Sequence, residues 1–250
     1  MKRFAVPALA LLVVVLIMWT LTATWLRNTS LVTPPALIAQ MISDGPGFYL
    51  LHAGPTLERA GIGYLIGNVV ALLIATIVIA APGTERVIVP LTVVSQCIPI
   101  TALGPVLLIV AGPQIAITTL AGLLVMFPTL VSAIVGGRSL ARSIADVARV
   151  NGGSRRQVVT LRLHAATPSI ASALVVGVPS AMLGAVLGEY FGGIQTGLGV
   201  ALHAAQYQMA NARMWSLAVT IVAVTLVAYG AAQLIERRVT RWSRLSGVRS

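Results

Sequence analysis

Few side chains in this sequence of 250 residues have the types and the spacing that chemistry at a protein site requires. Lys2 is the only lysine, so the nucleotide-binding loop G-x-x-x-x-G-K-S/T, whose lysine contacts the phosphates, cannot be present. His52, His164 and His203 are far apart in the sequence, and no cluster of cysteines or carboxylates accompanies them. Such an arrangement does not predict a metal site. We therefore expect that this chain is not itself an enzyme and binds no metal or cofactor.

One long polar segment, Arg138–Pro168, lies between apolar stretches and could be where a partner acts. It contains six arginines against a single acidic residue, Asp146. Residues 143–149 have helical character, and Gly152-Gly153 then ends the helix before a second, basic helix. The residues alone leave two interpretations equally open. The segment is either a docking unit for a soluble partner or a solvated amphipathic loop.

The composition predicts an all-α, polytopic membrane protein. Hydrophobic residues make up 57% of the chain and charged residues 9%, and the mean hydropathy is +0.93. A soluble domain has about 25% charged residues. Apolar windows of about 20 residues recur, and each is long enough to cross a bilayer as a helix. We predict about six spans, near Ala5–Trp25, Ile62–Ala81, Val87–Val110, Gln114–Val135, Ile170–Tyr190 and Trp215–Leu234.

The third of these spans is the least regular. It contains Pro90, Pro99 and Pro105. A proline inside a helix removes a hydrogen bond and clashes with the preceding turn. We therefore predict that the third span is kinked or interrupted.

The basic residues are distributed unevenly between the loops. With the N-terminus inside, fourteen of the seventeen lysines and arginines fall on one side, and only Arg27, Arg59 and Arg213 fall on the other. The positive-inside rule then predicts that both termini and the polar segment face the cytoplasm. Topology and attraction to anionic membrane lipid explain the basic C-terminal end. The net charge of +11 therefore does not indicate nucleic acid.

The apolar run at the N-terminus resembles a signal peptide but is too long for one. It has about 20 residues, whereas the apolar region of a signal peptide has about 7–15. We predict a retained transmembrane helix, followed by an outside loop over Leu31–Glu58. Within this loop, Pro34–Ser43 can form a short amphipathic helix at the membrane interface.

Ionisable residues are scarce inside the predicted spans, and no arginine is expected to be buried. Asn68 and Gln96 are the main buried polar candidates, and for both an interhelical hydrogen bond is favoured over a role in lining a path. The G-x-x-x-G pattern of Gly63 and Gly67 predicts close helix packing. Because proton- and sodium-coupled carriers use charged residues within their spans, this scarcity favours energy supplied by a partner.

Four stretches of the sequence resemble the membrane subunit of bacterial binding-protein-dependent ABC importers, in the nitrate, sulfonate and taurine branch. The resemblance covers about residues 55–242. The stretches are SQCIPITALGPVLLIVAG (95–112), DVARVNGGSRRQVVTLRLHAATPSI (146–170), GEYFGGIQTGLGVAL (188–202) and IERRVTRW (235–242). The second resembles the family's cytoplasmic EAA loop, with Asp146-Val147-Ala148 in place of its first triplet and Gly152 as its glycine.

The resemblance implies the MetI-like fold of type I ABC importer permeases and a division of the chain into three parts. Residues 1–54 would form an N-terminal helix and outer loop, 55–242 a permease core with its coupling loop at 138–168, and 243–250 a cytoplasmic tail. A multi-pass subunit of the bacterial inner membrane is implied. Its partners would be a second permease copy, cytoplasmic ATPases that use ATP and Mg²⁺, and an extracytoplasmic solute-binding protein.

The resemblance also implies two groups of functional residues. The coupling loop would contact the ATPase through Arg142, Asp146, Ala148, Arg149, Gly152, Gly153 and Arg155. The translocation path would be lined by residues of spans three and five, namely Gln96, Cys97, Thr101, Met182 and Glu189. The solute would be a small compound such as a sulfonate, taurine, nitrate or a pyrimidine-like molecule.

Two other classes of function remain open from the sequence. An ion-coupled secondary carrier would transport its solute without other subunits. A membrane scaffold would not transport at all and would lack outward- and inward-open states.

Overall fold

The structure is a computed structural model. It describes residues 17, 19–21, 24, 25, 32–139, 150, 152 and 154–240, apart from the side chains at 82, 95, 96, 155 and 239. Within these residues all regular structure is helical, which confirms the predicted all-α class. The helices are α1 (Pro34–Ala80), α2 (Glu85–Gln96), α3 (Ile100–Ala111), α4 (Pro113–Arg138), α5 (Arg155–Tyr190), α6 (Leu198–Tyr207) and α7 (Asn211–Val239).

Four of the described helices, α1, α4, α5 and α7, are long and apolar enough to cross a membrane, and α3 is a shorter apolar helix. The four contain most or all of the second, fourth, fifth and sixth predicted spans. Most of the first predicted span lies outside the described residues. The third span is interrupted as predicted, because α2 ends at Gln96 and α3 begins at Ile100. The interruption falls at Pro99, whereas Pro90 and Pro105 lie inside helices.

Helix α1 corrects the prediction of a loop over Leu31–Glu58, because the chain is helical from Pro34 onward. The predicted short helix is present and reaches a break at Gly45, where φ is 72° and ψ is 160°. After this break the helix continues to Ala80. Tyr49 and Ala53 pack in one cluster with Leu198 of α6 and Leu217 of α7. Burial against these helices stabilises helix in a segment whose local composition predicted a loop.

Helix α4 lies at the centre of the bundle and packs mainly against α5 and α1. Small residues allow close contact on both sides. A Cβ atom on Gly67 of α1 would lie 2.3 Å from the carbonyl oxygen of Gly122, and one on Gly184 of α5 would lie 2.6 Å from the Cα atom of Ala121. The close packing predicted for Gly63 and Gly67 is therefore confirmed.

The bundle has two ends that differ in charge. At the basic end, Arg138 is the last residue of α4 and forms an ion pair with Glu85 at the start of α2. Helix α5 also begins at this end, with a capping box in which the Ser154 N–H donates to Gln157 Oε1 at 2.7 Å. The opposite end, called the far end here, contains the turn at Gly112, the end of α5 and helix α6.

Candidate functional site

A buried ion pair joins α1 to α5 at the far end. Arg59 Nη1 lies 2.7 Å from Glu189 Oε1, and the two side chains are 10% and 0% exposed. Arg59 Nη1 also donates to the carbonyl of Thr196 at 2.8 Å, and its Nε donates to Gln114 Oε1 at 3.2 Å. The hydroxyl of Thr56 donates to Glu189 Oε2 at 2.8 Å. The pair therefore has the additional hydrogen bonds that a buried ion pair needs to offset its desolvation.

The same group of side chains caps the N-terminus of α6. The first N–H groups of a helix have no partner within the helix and need acceptors from elsewhere. Here three successive N–H groups donate to side chains of α1 and α5: Gly197 to His52 Nδ1 at 3.2 Å, Leu198 to Thr56 Oγ1 at 2.8 Å and Gly199 to Glu189 Oε2 at 3.0 Å. We call His52, Thr56, Arg59 and Glu189 the far-end network. It fixes α1, α5 and α6 to one another.

Glycine is required where α6 meets this network. A Cβ atom on Gly197 would lie 2.4 Å from the carboxyl carbon of Glu189. A Cβ atom on Gly199 would lie 2.3 Å from the carbonyl oxygen of Val186. The backbone of α6 therefore approaches α5 more closely than any larger residue at these two positions permits.

A second ion pair at the far end joins the start of α1 to the start of α7. Arg213 Nη2 lies 2.5 Å from Asp44 Oδ1, and its Nε donates to Asp44 Oδ2 at 3.1 Å. The hydroxyl of Tyr49 donates to Ser216 Oγ at 2.9 Å, and the Arg213 guanidinium lies 5.5 Å from the centroid of the Phe48 ring. The bidentate geometry and the cation–π contact stabilise this pair and fix how the two side chains are oriented.

The expectation that no arginine is buried was wrong. Arg59 is 8% exposed as a residue and reaches Glu189 across 130 positions of sequence. The sequence predicted that Arg59 lies outside the membrane, because the second predicted span begins only at Ile62. Thr56 and Arg59 are three residues apart and so share a helix face. That spacing is a signal only once the segment is known to be helical.

The predicted path residues fall into three environments. Glu189 is fully buried in the far-end network, and Met182 is 2% exposed in the core cluster around Ile117 and Ala121. Cys97 and Thr101 are exposed on either side of the interruption between α2 and α3, and Gln96 is the last residue of α2. Gln96, Cys97 and Thr101 are near one another in the sequence, and none of them belongs to the far-end network.

The other buried polar candidate, Asn68, follows the favoured interpretation. Thr129 of α4 donates to Asn68 Oδ1 at 2.7 Å, and Asn68 Nδ2 donates to the carbonyl of Tyr64 at 2.8 Å. The interhelical hydrogen bond expected for Asn68 is confirmed. The same expectation for Gln96 stays a prediction, because the structure does not describe the Gln96 side chain.

Most of the predicted coupling loop lies outside the described residues, including Arg142, Asp146, Ala148, Arg149 and Gly153. Gly152 is described and has φ of +77°, the conformation that suits a glycine turn. Arg155 is the first residue of α5, although its side chain is not described. The predicted second basic helix of the segment and the fifth span are therefore one continuous helix.

Two cavities lie among the described helices. A cavity of about 350 Å³ opens beside Arg59, lined also by Glu58, Gln114 and Thr118. An apolar groove of about 410 Å³ lies between α5 and α7. In the part of the chain that the structure describes, no three His, Cys, Asp or Glu residues group closely enough to hold a metal ion.

Comparison with known proteins identifies the family. Residues 67–241 match the model of the binding-protein-dependent transport system inner membrane component. The chain belongs to this family. It is an ABC importer permease of the predicted MetI-like fold.

Three relatives show how this permease compares with named proteins. It is 28% identical over 252 residues to the riboflavin transport system permease protein RibX of Chloroflexus aurantiacus, which covers 97% of this chain and 93% of the relative. It is 28% identical over 232 residues to a probable ABC transporter permease protein of Haemophilus influenzae, covering 92% and 94%. It is also 28% identical over 183 residues to the formylaminopyrimidine transport permease protein ThiX of Halalkalibacterium halodurans, covering 71% and 72%. The nitrate, sulfonate and taurine branch stays a prediction.

Proposed function

We propose that this permease works as a pair of copies in an ATP-driven importer of the bacterial inner membrane, with both termini in the cytoplasm. Each copy binds one cytoplasmic ATPase through its loop 138–168, and an extracytoplasmic binding protein delivers the solute. The ATPases use ATP and Mg²⁺, and the permease itself performs no chemistry. Family membership supports the transport role, and the continuity of α5 is the observation that carries the coupling mechanism.

Helix α5 connects the proposed ATPase site to the far end without interruption. It has 36 residues and begins directly after the glycine turn of the loop. At a rise of 1.5 Å per residue its length is about 54 Å, more than the thickness of the hydrocarbon core. Its last turn contains Glu189, which binds α1 and α6. A displacement of the loop by the ATPase is therefore transmitted to the far end by a single element.

The solute that we propose is a small uncharged nitrogen heterocycle, such as a pyrimidine-like compound. Two of the relatives are named for the transport of riboflavin and of a formylaminopyrimidine, which are both nitrogen heterocycles. At the far end, Arg59 and Arg213 are each paired with a carboxylate. Neither arginine is then a free cation that would attract an anionic solute such as nitrate or a sulfonate.

The experiment that tests the coupling loop is co-purification of the permease with its ATPase. Ala148→Trp places a large side chain where the loop would sit in a groove of the ATPase. We expect normal amounts of the variant in the membrane, loss of the co-purified ATPase and loss of uptake. The matched control is Gly83→Trp, in an exposed turn before α2 where a Cβ atom meets nothing within 4 Å. This control variant should retain both the co-purified ATPase and uptake.

Three results would contradict the proposal. If Ala148→Trp retains the ATPase and full uptake, the loop is not the coupling element. If the purified permease alone accumulates solute in liposomes under a proton or sodium gradient, the protein is a secondary carrier. A permease that binds no ATPase and supports no uptake under any of these conditions would be a scaffold.

A further inference from the structure

The cavity beside Arg59 lies at the depth of the lipid headgroups on the far-end side of the membrane. Glu58 is 22 residues before Ala80, where α1 ends, and Gln114 is 24 residues before Arg138, where α4 ends. At 1.5 Å per residue, these positions are about 33 Å and 36 Å from the basic end along their helices. A hydrocarbon core is about 30 Å thick. The cavity, of about 350 Å³, therefore opens just outside the core.

Two hydrogen-bond donors are available to a ligand in this cavity. The Arg59 side chain is 10% exposed, and its Nη1 and Nε atoms donate to Glu189, Thr196 and Gln114, whereas Nη2 has no partner in the described part of the chain. Among the described residues no buried side-chain nitrogen lacks a partner, so Nη2 must be accessible, and the cavity that Arg59 lines is where it is reached. Gln114 Oε1 already accepts from Arg59, which leaves the Gln114 amide nitrogen to donate.

The charge of the cavity comes from Glu58. The guanidinium of Arg59 is offset by the carboxylate of Glu189. Glu58 is exposed and lines the cavity, and it has no ion-pair partner among the described residues. A matching ligand therefore carries a cation for this carboxylate and an oxyanion for the two donors. A ligand that is only anionic would be repelled by Glu58.

The cavity becomes apolar toward the centre of the membrane. Ile62 of α1 and Ile115 of α4 line it and are 42% and 59% exposed. Ile66 lies one turn further along α1, on the same face as Ile62, and is 55% exposed. The hydroxyl of Thr118 donates to carbonyls of its own helix, those of Gln114 and Ile115. Charged groups at headgroup depth and apolar side chains below them match the two parts of a phospholipid.

We propose that this cavity binds a phospholipid with an ethanolamine headgroup in the membrane leaflet at the far end. The ammonium group donates to Glu58, and the phosphate accepts from Arg59 Nη2 and from the Gln114 amide. One acyl chain follows Ile62 and Ile66 into the hydrocarbon core. The inference goes beyond the proposed function and does not depend on it, because it requires only that the chain spans a membrane.

The lining of the cavity also predicts which headgroups it rejects. A primary ammonium has three N–H donors, whereas the quaternary ammonium of choline has none and is typically bound by aromatic rings. The described residues that line the cavity include no aromatic side chain. Phosphatidylglycerol has a net negative charge, which Glu58 repels. Soluble zwitterions such as phosphoethanolamine and taurine carry the same charged groups but lack the chain that would contact Ile62 and Ile66.

The test is lipid binding to the full-length permease, measured by native mass spectrometry. The protein is purified in micelles and given equal amounts of phosphatidylethanolamine, phosphatidylcholine and phosphatidylglycerol with identical acyl chains. We expect phosphatidylethanolamine to bind at least about tenfold more tightly than either of the others, the effect of one charge-assisted hydrogen bond. Glu58→Gln should reduce this preference to within about threefold. Glu236→Gln makes the same charge change on α7 at the basic end and should retain the full preference.

A second variant and a stability measurement separate the site from a folding defect. Ile115→Trp fills the apolar part of the cavity and should abolish the selective binding. In micelles without phosphatidylethanolamine, the unfolding midpoints of Glu58→Gln and Ile115→Trp should equal that of wild type, because both side chains are exposed.

Four results would overturn this lipid site. They are equal binding of the three lipids to wild type, an unchanged preference in Glu58→Gln, and an unchanged preference in Ile115→Trp. The fourth is displacement of the lipid by phosphoethanolamine or taurine at a similar concentration, which would show that the cavity takes a soluble zwitterion. A cavity that is covered by another segment of the chain or by the second copy gives the first of these results.

Discussion

Removing one charge of the pair Arg59–Glu189 should destabilise the folded permease strongly. Glu189→Ala leaves the Arg59 guanidinium buried without its anion and removes the acceptor for the Thr56 hydroxyl and the Gly199 N–H. Breaking a buried pair by removing one partner costs about 3–5 kcal/mol. A loss of 3 kcal/mol corresponds to a change of roughly 150-fold in the unfolding equilibrium constant.

Removing both charges should cost less than the sum of the two single changes. In the double variant Arg59→Met with Glu189→Gln no buried charge is left, and the glutamine oxygen can still accept a hydrogen bond from the Thr56 hydroxyl or the Gly199 N–H. Contacting pairs show interaction energies of about 0.5–3 kcal/mol in double-mutant cycles. Since both partners are nearly or fully buried, we expect a value of about 2–3 kcal/mol here.

The assay is reversible unfolding in mixed micelles, followed by circular dichroism as the denaturing detergent is increased. Glu189→Ala is compared with wild type, and wild type, Arg59→Met, Glu189→Gln and the double variant form the double-mutant cycle. The control is Glu58→Gln, which changes the exposed carboxylate next to Arg59 and should leave the unfolding midpoint unchanged. Additive single-variant costs, within about 0.5 kcal/mol, would show that the two charges do not pair in the folded protein.

Two further predictions concern helix packing and topology. Gly67→Ala should destabilise the bundle by about 1–3 kcal/mol in the same assay, because the new methyl group overlaps the backbone of α4, whereas Gly61→Ala, with nothing within 4 Å of its Cβ position, should not. In a Cys97→Ser background, Ser154→Cys should be labelled only from the cytoplasm and Gln195→Cys only from outside; labelling of the Ser154 position from outside refutes the predicted orientation.

Hydropathy and proline positions predicted most of the helical architecture. The second, fourth, fifth and sixth predicted spans lie largely or wholly inside α1, α4, α5 and α7, and the third is interrupted at one of its prolines. These features are properties of contiguous sequence. A run of about 20 apolar residues buries its backbone polar groups by forming a helix, whatever its neighbours are. The close contact at Gly63 and Gly67 was predicted for a similar local reason.

The extent of α1 could not be predicted in this way. Its first part combines polar residues, glycines and prolines and has the composition of a loop. It is helical because one face packs on α6 and α7, including the hydrogen bond from Tyr49 to Ser216 across 167 positions. Local propensity is a weak determinant of helix when such tertiary burial competes with it.

The sequence by itself determined that this protein is an all-helical membrane permease with a basic loop and a broken third span. Only the tertiary structure decided what the polar residues do. Glu189, which the resemblance implied to be a path residue, is the buried partner of Arg59. The reason is physical: hydropathy adds up along the chain, whereas a charge pair depends on the relative rotation and height of two helices. Those are fixed by packing between α1, α4 and α5, which no local pattern contains.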